Sequence, residues 1–513
     1  MPDLPASQGL QNQPKRRTAA VCAVSVIALL CAMPAASAAV INVIDVIPVA
    51  ASAETGQNSE PSIAVDPLNP NLMVSGTFTS GTLSGPFWES TNGGSTWMSF
   101  GSLPSSDKSL AWRQDGVAAL AVTLNVDKFP PPVLIDHLTT FQSGATNFGA
   151  AINTSPLQSV DQPWIRTGPG GQTYVASNNF NAANAGGKTA SIEVSSNNGV
   201  TYSPTIVLET VSPTGGQDAP SVRQAVNGST VYAAFTRWGT ESTDPAGNLT
   251  FSGSQVVVTK SINSGATFSA GTTAATTTGY FSNTNNSNMT LGQERVASDL
   301  AIAVDPNNAN HVVVAYGDRT SSTGLQLKVV ESTDGGTTFS AAKFTTSSAV
   351  RSALPGITIL ANGDIGLLYA SYNPSTNSLS QHLVTTTDDF AATTDSLLGT
   401  QTNTFPTADF DPYVGDFYDL MSVGDTLYGI FSASNDDNGT LGMFPDVSFQ
   451  RCFTGTPGIG TFALCDNLGH VVPFSIDPYV FSLNLAVAPE PASLTLLGAS
   501  LLGFAALRWR RRC

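Results

Sequence analysis

Apolar and polar residues alternate along this chain in short runs that come in pairs. The stretch "PSIAVDPLNPNLMVSGTF" at 61–78 shows the unit: an apolar run, a turn rich in Asp, Pro and Asn, and a second apolar run. "LAIAVDPNNANHVVVAYG" at 300–317 repeats it almost position for position. Further copies start at Pro163 ("PWIRTGPGGQTYVASNNF"), Pro220 ("PSVRQAVNGSTVYAAFTRWG"), Pro355 ("PGITILANGDIGLLYASY") and Asp416 ("DFYDLMSVGDTLYGIFSASN"). A degenerate copy, "LAWRQDGVAALAVTLN", starts at Leu110. Period-two alternation bounded by Gly, Pro, Asn and Asp predicts strands. No amphipathic helix of any length separates them.

A second repeat follows each pair. "STNGGSTW" at 90–97, "SSNNGVTY" at 195–202, "SINSGATF" at 261–268 and "STDGGTTF" at 332–339 share a Ser, an Asn or Asp two residues on, a Gly and a terminal aromatic. The positions are Ser90, Asn92, Gly94 and Trp97; Ser195, Asn197, Gly199 and Tyr202; Ser261, Asn263, Gly265 and Phe268; Ser332, Asp334, Gly336 and Phe339. "TTFQSGATNF" at 139–148 and "TTDDF" at 386–390 are weaker copies. A calcium loop needs alternating carboxylates, and a phosphate loop needs a following Lys and a helix. Neither pattern is present. A tight hairpin fits instead: Asp or Asn accepts from its own turn backbone, Gly supplies a positive φ, and the aromatic packs beneath.

Two strands and then a turned hairpin, repeated from seven starts, predict an all-β fold of four-stranded blades arranged radially, a β-propeller. Seven blades are expected, with six the alternative. The N-terminal strand around Val40–Val49, or the final strand near Phe481–Val487, is expected to complete the last blade and remove a free edge. In its fuller form the turn, Ser-x-Asp-x-Gly-x-Thr-Trp, resembles the BNR or Asp-box repeat, so the body resembles a sialidase-like Asp-box propeller. Enzymes of that kind have six blades, with three arginines around a substrate carboxylate, a Tyr nucleophile with a Glu partner, and an acid Asp. Their first Arg usually sits in a Phe/Tyr-Arg-Ile-Pro motif. The matching segment here is "NSEPSIAVDP", and no arginine lies between Arg17 and Arg113. Arg113, Arg166 and Arg223 fall near strand starts and Arg295 precedes one, so a catalytic residue is not assigned.

The two ends carry sorting information. Lys15, Arg16 and Arg17, an apolar run from Thr18 to Met33 and Ala36-Ser37-Ala38 form a secretory signal over 1–38. At the other end Pro489-Glu490-Pro491, an apolar run from Ala492 to Leu507 and an arginine cluster resemble the PEP-CTERM sorting signal over 489–513. That resemblance implies an exosortase partner, transient anchoring by a short C-terminal helix, and a Gram-negative envelope, surface or extracellular matrix rich in polysaccharide. Residues 39–54 are expected as an N-terminal strand and linker, and 55–488 as the propeller.

The formal net charge is −16, and the ends remove more basic than acidic residues, so the body is more acidic still. Nucleic acid and anionic lipid would be repelled. Cys22 and Cys31 leave with the signal and Cys513 lies in the tail. Cys452 and Cys465 remain, and a disulfide is expected in an oxidising compartment.

Acids cluster where inner strands begin: Glu60, Asp161, Asp218, Asp299 and Asp416, with Asp107 near the degenerate copy and Arg223 beside Asp218. Two readings stand. They form a carboxylate-lined funnel for a cation or sugar hydroxyls, with bound calcium relieving their repulsion, or they are ordinary strand-entry residues. "NDDNG" at 435–439 reads as a turn, and no metal or cofactor motif is assigned. Trp88, Trp112, Trp164 and Trp238 are candidate exposed platforms for sugar stacking; Trp97, ending a turn, is expected in the core. The reading is an exported binding protein associated with extracellular polysaccharide; the alternative is a sialidase-like glycoside hydrolase acting on extracellular glycans.

Overall fold

The computed structural model describes residues 41–485, apart from 81–83, 126–133, 142–150, 155–159, 180–189, 210–220, 244, 246–248, 282–298, 321–323, 403–413, 437–446 and 457–461. Both sorting segments lie outside these residues. Among the described residues the chain is strand and turn, interrupted only by two single 3-10 turns at Val49–Ala51 and Pro169–Gly171.

Most apolar pairs fold with their hairpins into antiparallel sets whose spatial order is chain order. Leu300–Asp305, Asn308–Arg319, Leu325–Ser332 and Phe344–Thr345 form one set. Arg351–Ile359, Ile365–Asn373, Ser378–Thr386 and Thr394–Thr402 form the next. The long strand Met98–Trp112 serves two sets: residues 98–104 pair outward with Ser84–Ser90, and 105–112 pair with Ala119–Asn125.

Seven strands among the described residues lie innermost. They are Gln57–Val65, the second half of Met98–Trp112, Val160–Thr167, Arg223–Asn227, Leu300–Asp305, Arg351–Ile359 and Asp419–Val423. Each packs on the next and the last packs on the first, so they enclose one central cavity. The fold is a β-propeller. Period-two alternation serves this ring directly, because successive side chains of a strand face opposite neighbours. Leu300, Ile302 and Val304 join a core shared with Tyr232, Val256 and Val258 of the preceding set. Ala301 and Ala303 join a core shared with Ile357, Ile359 and Leu367 of the following set.

The hairpin turns share one hydrogen-bond plan. Ser332 Oγ donates to Asp334 Oδ1 (2.9 Å) and accepts from Gly336 N (2.8 Å), while Thr338 N donates to Asp334 Oδ1 (2.9 Å). Ser90, Ser195 and Ser261 accept from Gly94, Gly199 and Gly265 at 3.0, 3.0 and 2.9 Å. Asn92, Asn197 and Asn263 take the acceptor role of Asp334. The weaker copy at 386–390 keeps the plan: Thr386 Oγ1 accepts from Phe390 N (3.0 Å), and Asp388 Oδ1 accepts from Ala392 N (2.8 Å). Phe390 stands at the glycine position with φ +66°, and its ring is buried in the adjoining core. The copy at 139–148 lies mostly outside the described residues. Trp97 is buried, as its place at a turn end predicts.

The ring closes by mixing the two chain ends. Val43–Asp45 pairs antiparallel with Ile476–Asn484, which in turn pairs with Thr426–Ser434. Both expected strands thus complete the last set, the N-terminal one lying between Ile476–Asn484 and the short parallel strand Val447–Ser448. Arg451 locks the seam: its guanidinium donates to Asp477 (2.9 Å) and to the carbonyls of Ser52 (2.7 Å) and Glu54 (2.6 Å). Arg451 and Asp477 side chains are fully buried. Asn435 also donates to Asp477 (2.7 Å), so the start of "NDDNG" serves this seam. The neighbouring Cys452 and Cys465 are disulfide-bonded, their Cα atoms 5.0 Å apart, which in the chain-entropy picture stabilises by ~3 kcal/mol for a loop of this length.

Arg451→Met is expected to destabilise the fold by about 3–5 kcal/mol, because Asp477 would stay buried without its cation; denaturant unfolding measures it, and a change under 1 kcal/mol contradicts this account. At the turns, Ser332→Ala is expected to cost about 1–3 kcal/mol, since buried backbone donors lose their acceptor. Asp334 is held down to about 2, chiefly by the hydroxyl and backbone of Thr338. Its folded value lies below the unfolded one, so its contribution is present at neutral pH and fades as pH falls from about 4 to about 2. Carboxyl-carbon NMR titration should place its midpoint there; an ordinary midpoint near 4 would refute the bonding pattern.

Candidate functional site

The inner strands enter the ring with polar residues, and the structure brings several of them together. At three places a bulge marks the entry, each just before a proline. Glu60, Gln162 and Leu354 have φ of +50°, +49° and +60°, and the strand registers slip there. A positive φ in these non-glycine residues is strained backbone. All three side chains are buried.

Arg223 stands at the centre of the group. Its guanidinium lies 4.2 Å from the Trp164 ring centroid and 5.4 Å from that of Phe417. It donates to Gln162 Oε1 (3.3 Å), and Gln162 donates onward to Asp416 Oδ2 (3.2 Å). Arg166 lies 4.7 Å from the Trp164 ring centroid and pairs with Asp419 Oδ1 (3.1 Å). Burial and then Arg166 push the Arg223 guanidinium below its ordinary value, while Asp416, Asp419 and Asp107 oppose them. Lys108, wholly buried, donates to the Thr77 carbonyl. Burial lowers its ammonium to about 7 against the pull of Glu60 and Asp107.

Four of the strand-entry acids are buried rather than set on an open wall. Glu60, Asp299 and Asp416 are all at least nine-tenths buried, as is Asp107. Glu60, Asp107, Asp416 and Asp419 face Lys108, Arg166 and Arg223, so the chain's own cations offset part of their charge. Asp299 Oδ1 accepts from Leu354 N (2.8 Å), tying one inner strand to the next. Asp161 Oδ1 accepts from the backbone of Gln162 (2.9 Å). Asp218 lies outside the described residues. Among the described residues, no three of these acids bring their oxygens within reach of one ion.

The polar positions of the inner strands act as stitches between sets. Asp419 Oδ2 accepts from Ser62 Oγ (3.0 Å), and Ser62 Oγ accepts from Leu110 N (3.0 Å). Ser109 Oγ accepts from Ile165 N (3.2 Å), and Gln224 donates to the Trp164 carbonyl (2.6 Å). Below them lies a cavity of about 400 Å³, with mostly aliphatic walls carrying Arg166, Gln224, Asp419 and Ser422. Trp88, Trp112, Trp164 and Trp238, candidates for exposed sugar platforms, are all buried, none more than 5% exposed. They are packing residues, and Trp164 is the bed for two arginines.

Sequence reasoning missed Gln162, Lys108 and Asp419 as members of this group. Gln162 and Lys108 each follow a named acid, and the residue-before-proline position that unites Glu60, Gln162 and Leu354 was a readable signal.

Lys108 has a lowered folded value, so the unfolded chain holds its proton where the folded chain has released it. Below about 7 the cost of burying the charge is fully present; above it, stability rises with pH towards 10.5. Lys108→Met should flatten that rise between about pH 7 and 9 in denaturant unfolding. An unchanged slope would show that Lys108 does not titrate there.

Residues 487–512 match the PEP-CTERM protein-sorting motif. This motif implies export, sorting to the cell envelope or surface of a Gram-negative bacterium, and recognition by an exosortase. No helix among the described residues is long and apolar enough to cross a membrane, and the apolar tail lies outside them. No curated protein matches the chain. Solved structures similar to it include a family PL25 ulvan lyase bound to a glucuronate–sulfated rhamnose unit, at 10% identity and TM-score 0.46, covering 75% of this chain and 93% of the lyase. A Penicillium chrysogenum α-L-arabinanase is 11% identical with TM-score 0.39, covering 87% and 98%. A Trypanosoma rangeli sialidase mutant is 11% identical with TM-score 0.33, covering 57% and 45%.

Proposed function

We propose that the chain is an exported propeller that binds extracellular polysaccharide at the cell surface or in the matrix without cleaving it. The observation that carries this reading is the fate of the strand-entry acids. Glycosidases of the two-carboxylate type need a pair of acids about 5–10 Å apart and open to substrate. Here Glu60, Asp107, Asp299 and Asp416 are buried, and the bonds of Asp416 to Gln162 and of Asp299 to Leu354 tie neighbouring sets of the ring together. We read the seven inner strands as seven blades, against the six of the sialidase-like enzymes, and the repeated hairpins as Asp-box turns. Domain limits of 39–54 for the N-terminal segment and 55–488 for the propeller follow from that reading.

The alternative is a sialidase-like glycoside hydrolase. Arg166 and Arg223 share the Trp164 ring, and a paired cation of this kind suits a carboxylated sugar.

The test uses the purified exported protein with exopolysaccharide from a Gram-negative biofilm former. Co-sedimentation with the polymer is expected, with no release of reducing ends or unsaturated products over a day. Cleavage that Arg223→Met abolishes, in a variant that still folds, would replace this reading by the alternative. Neither retention nor cleavage would exclude both.

A further inference from the structure

Away from the channel, four side chains from four elements meet at the seam between two neighbouring sets. His311 lies on Asn308–Arg319 and Glu331 on Leu325–Ser332 of one set. Asp389 comes from the hairpin turn of the next set, and Asp305 ends the inner strand of the first. His311 Nδ1 lies 3.4 Å from Asp305 Oδ2. His311 Nε2 lies 3.1 Å from Glu331 Oε1 and 3.8 Å from Asp389 Oδ1. Glu331 Oε2 accepts from Lys343 Nζ at 2.8 Å.

His311 is 9% exposed as a residue and 11% in its side chain, and its buried Nε2 makes no well-formed hydrogen bond. If Nδ1–H points at Asp305, the Nε2 lone pair faces two carboxylate oxygens. Three electron-rich atoms do not face one another without a cation between them. The geometry suits one. Ligands around a tetrahedral ion at 2.0–2.1 Å sit roughly 3.4 Å apart; the two separations from Nε2, 3.1 and 3.8 Å, straddle that edge, and all three ligand atoms lie within 4.8 Å of one another. The surrounding groups also fit: a carboxylate on the far nitrogen of the histidine, and a donor on the free oxygen of the glutamate, are the supports that orient metal ligands.

We propose that His311, Glu331 and Asp389 form a site for a divalent transition-metal ion, with zinc as the representative and water completing the shell. One nitrogen and two oxygens favour a borderline ion over calcium, which takes six to eight oxygens. Because Asp389 belongs to a different set from His311 and Glu331, the ion staples two blades at their outer seam.

Isothermal titration of zinc into the chelator-stripped full protein tests this, with melting temperature as the second readout. About one equivalent should bind, the melting temperature should rise, and cobalt should give the visible absorption of a four-coordinate site. Asp389→Asn, half-exposed and tolerant of change, and the isosteric Glu331→Gln should each weaken binding tenfold or more, taking the tenfold lower end of outer-shell losses as a minimum. His382→Gln and His470→Gln, at the other histidine–aspartate pairs, should leave binding intact. Absence of saturable zinc uptake would overturn the site and leave a proton as the cation on His311. Uptake unchanged by Asp389→Asn, or an equal melting response to calcium, would overturn it as well.

Discussion

A ring of sheets is only as stable as its closing contact, and in this protein that contact is made between the two chain ends. The short strand Val43–Asp45 adds itself to Ile476–Asn484, so the last set contains strands from opposite ends of the sequence. Without it, the third strand of that set would present an open edge, and the N-terminal segment would lose its strand pairing to the last set. The seam is correspondingly reinforced. Arg451 reaches Asp477 and two carbonyls of the N-terminal segment, and Asp45, beside Asp477, is raised well above its ordinary value by burial and by that neighbour. The buried arginine satisfies donors and charge together, which a lysine, with its point charge and flexible stem, would do poorly.

The rest of the architecture repeats a cheaper device. Each inner strand packs against a neighbour on either side, and polar side chains stitch adjacent strands together. Ser62 linking Asp419 to Leu110 is the pattern in small: one hydroxyl donates to the set behind and accepts from the set ahead. Buried polar groups must be paired, so such residues are fixed in place by their bonds. That is why the mouth of the ring carries so many acids and so little open acidic surface. The arginines follow the same logic. Arg223 settles its charge among Asp416, Asp419 and Asp107 and its flat face against Trp164.

The hairpin turns show how far a sequence motif can drift while its physics holds. Asn replaces Asp in three copies because one amide oxygen accepts the same backbone donors. At 386–390 threonine replaces serine, and phenylalanine takes the glycine site at φ +66°. That position costs conformational strain, offset by burial of the ring in the core between two sets. The copy is weak by residue identity and intact by hydrogen bonding.

Much of this protein follows from its sequence alone: strand periodicity, repeated turns, the pairing of Cys452 with Cys465, and the sorting motif at the tail. These are local or compositional signals, decided within a few residues of one another. What the tertiary structure decided was which side chains meet. Glu60 and Lys108, or Gln162, Arg223 and Asp416, are separated by tens to hundreds of residues, and each alone reads as an ordinary polar position. Trp164 reads as a surface platform until two guanidinium groups and the Phe417 ring occupy its faces and edge. His311 gives no sign in sequence of Glu331 or Asp389, because the third comes from a neighbouring sheet. Periodicity specifies which way a residue points within its strand; only the closed ring specifies what it points at.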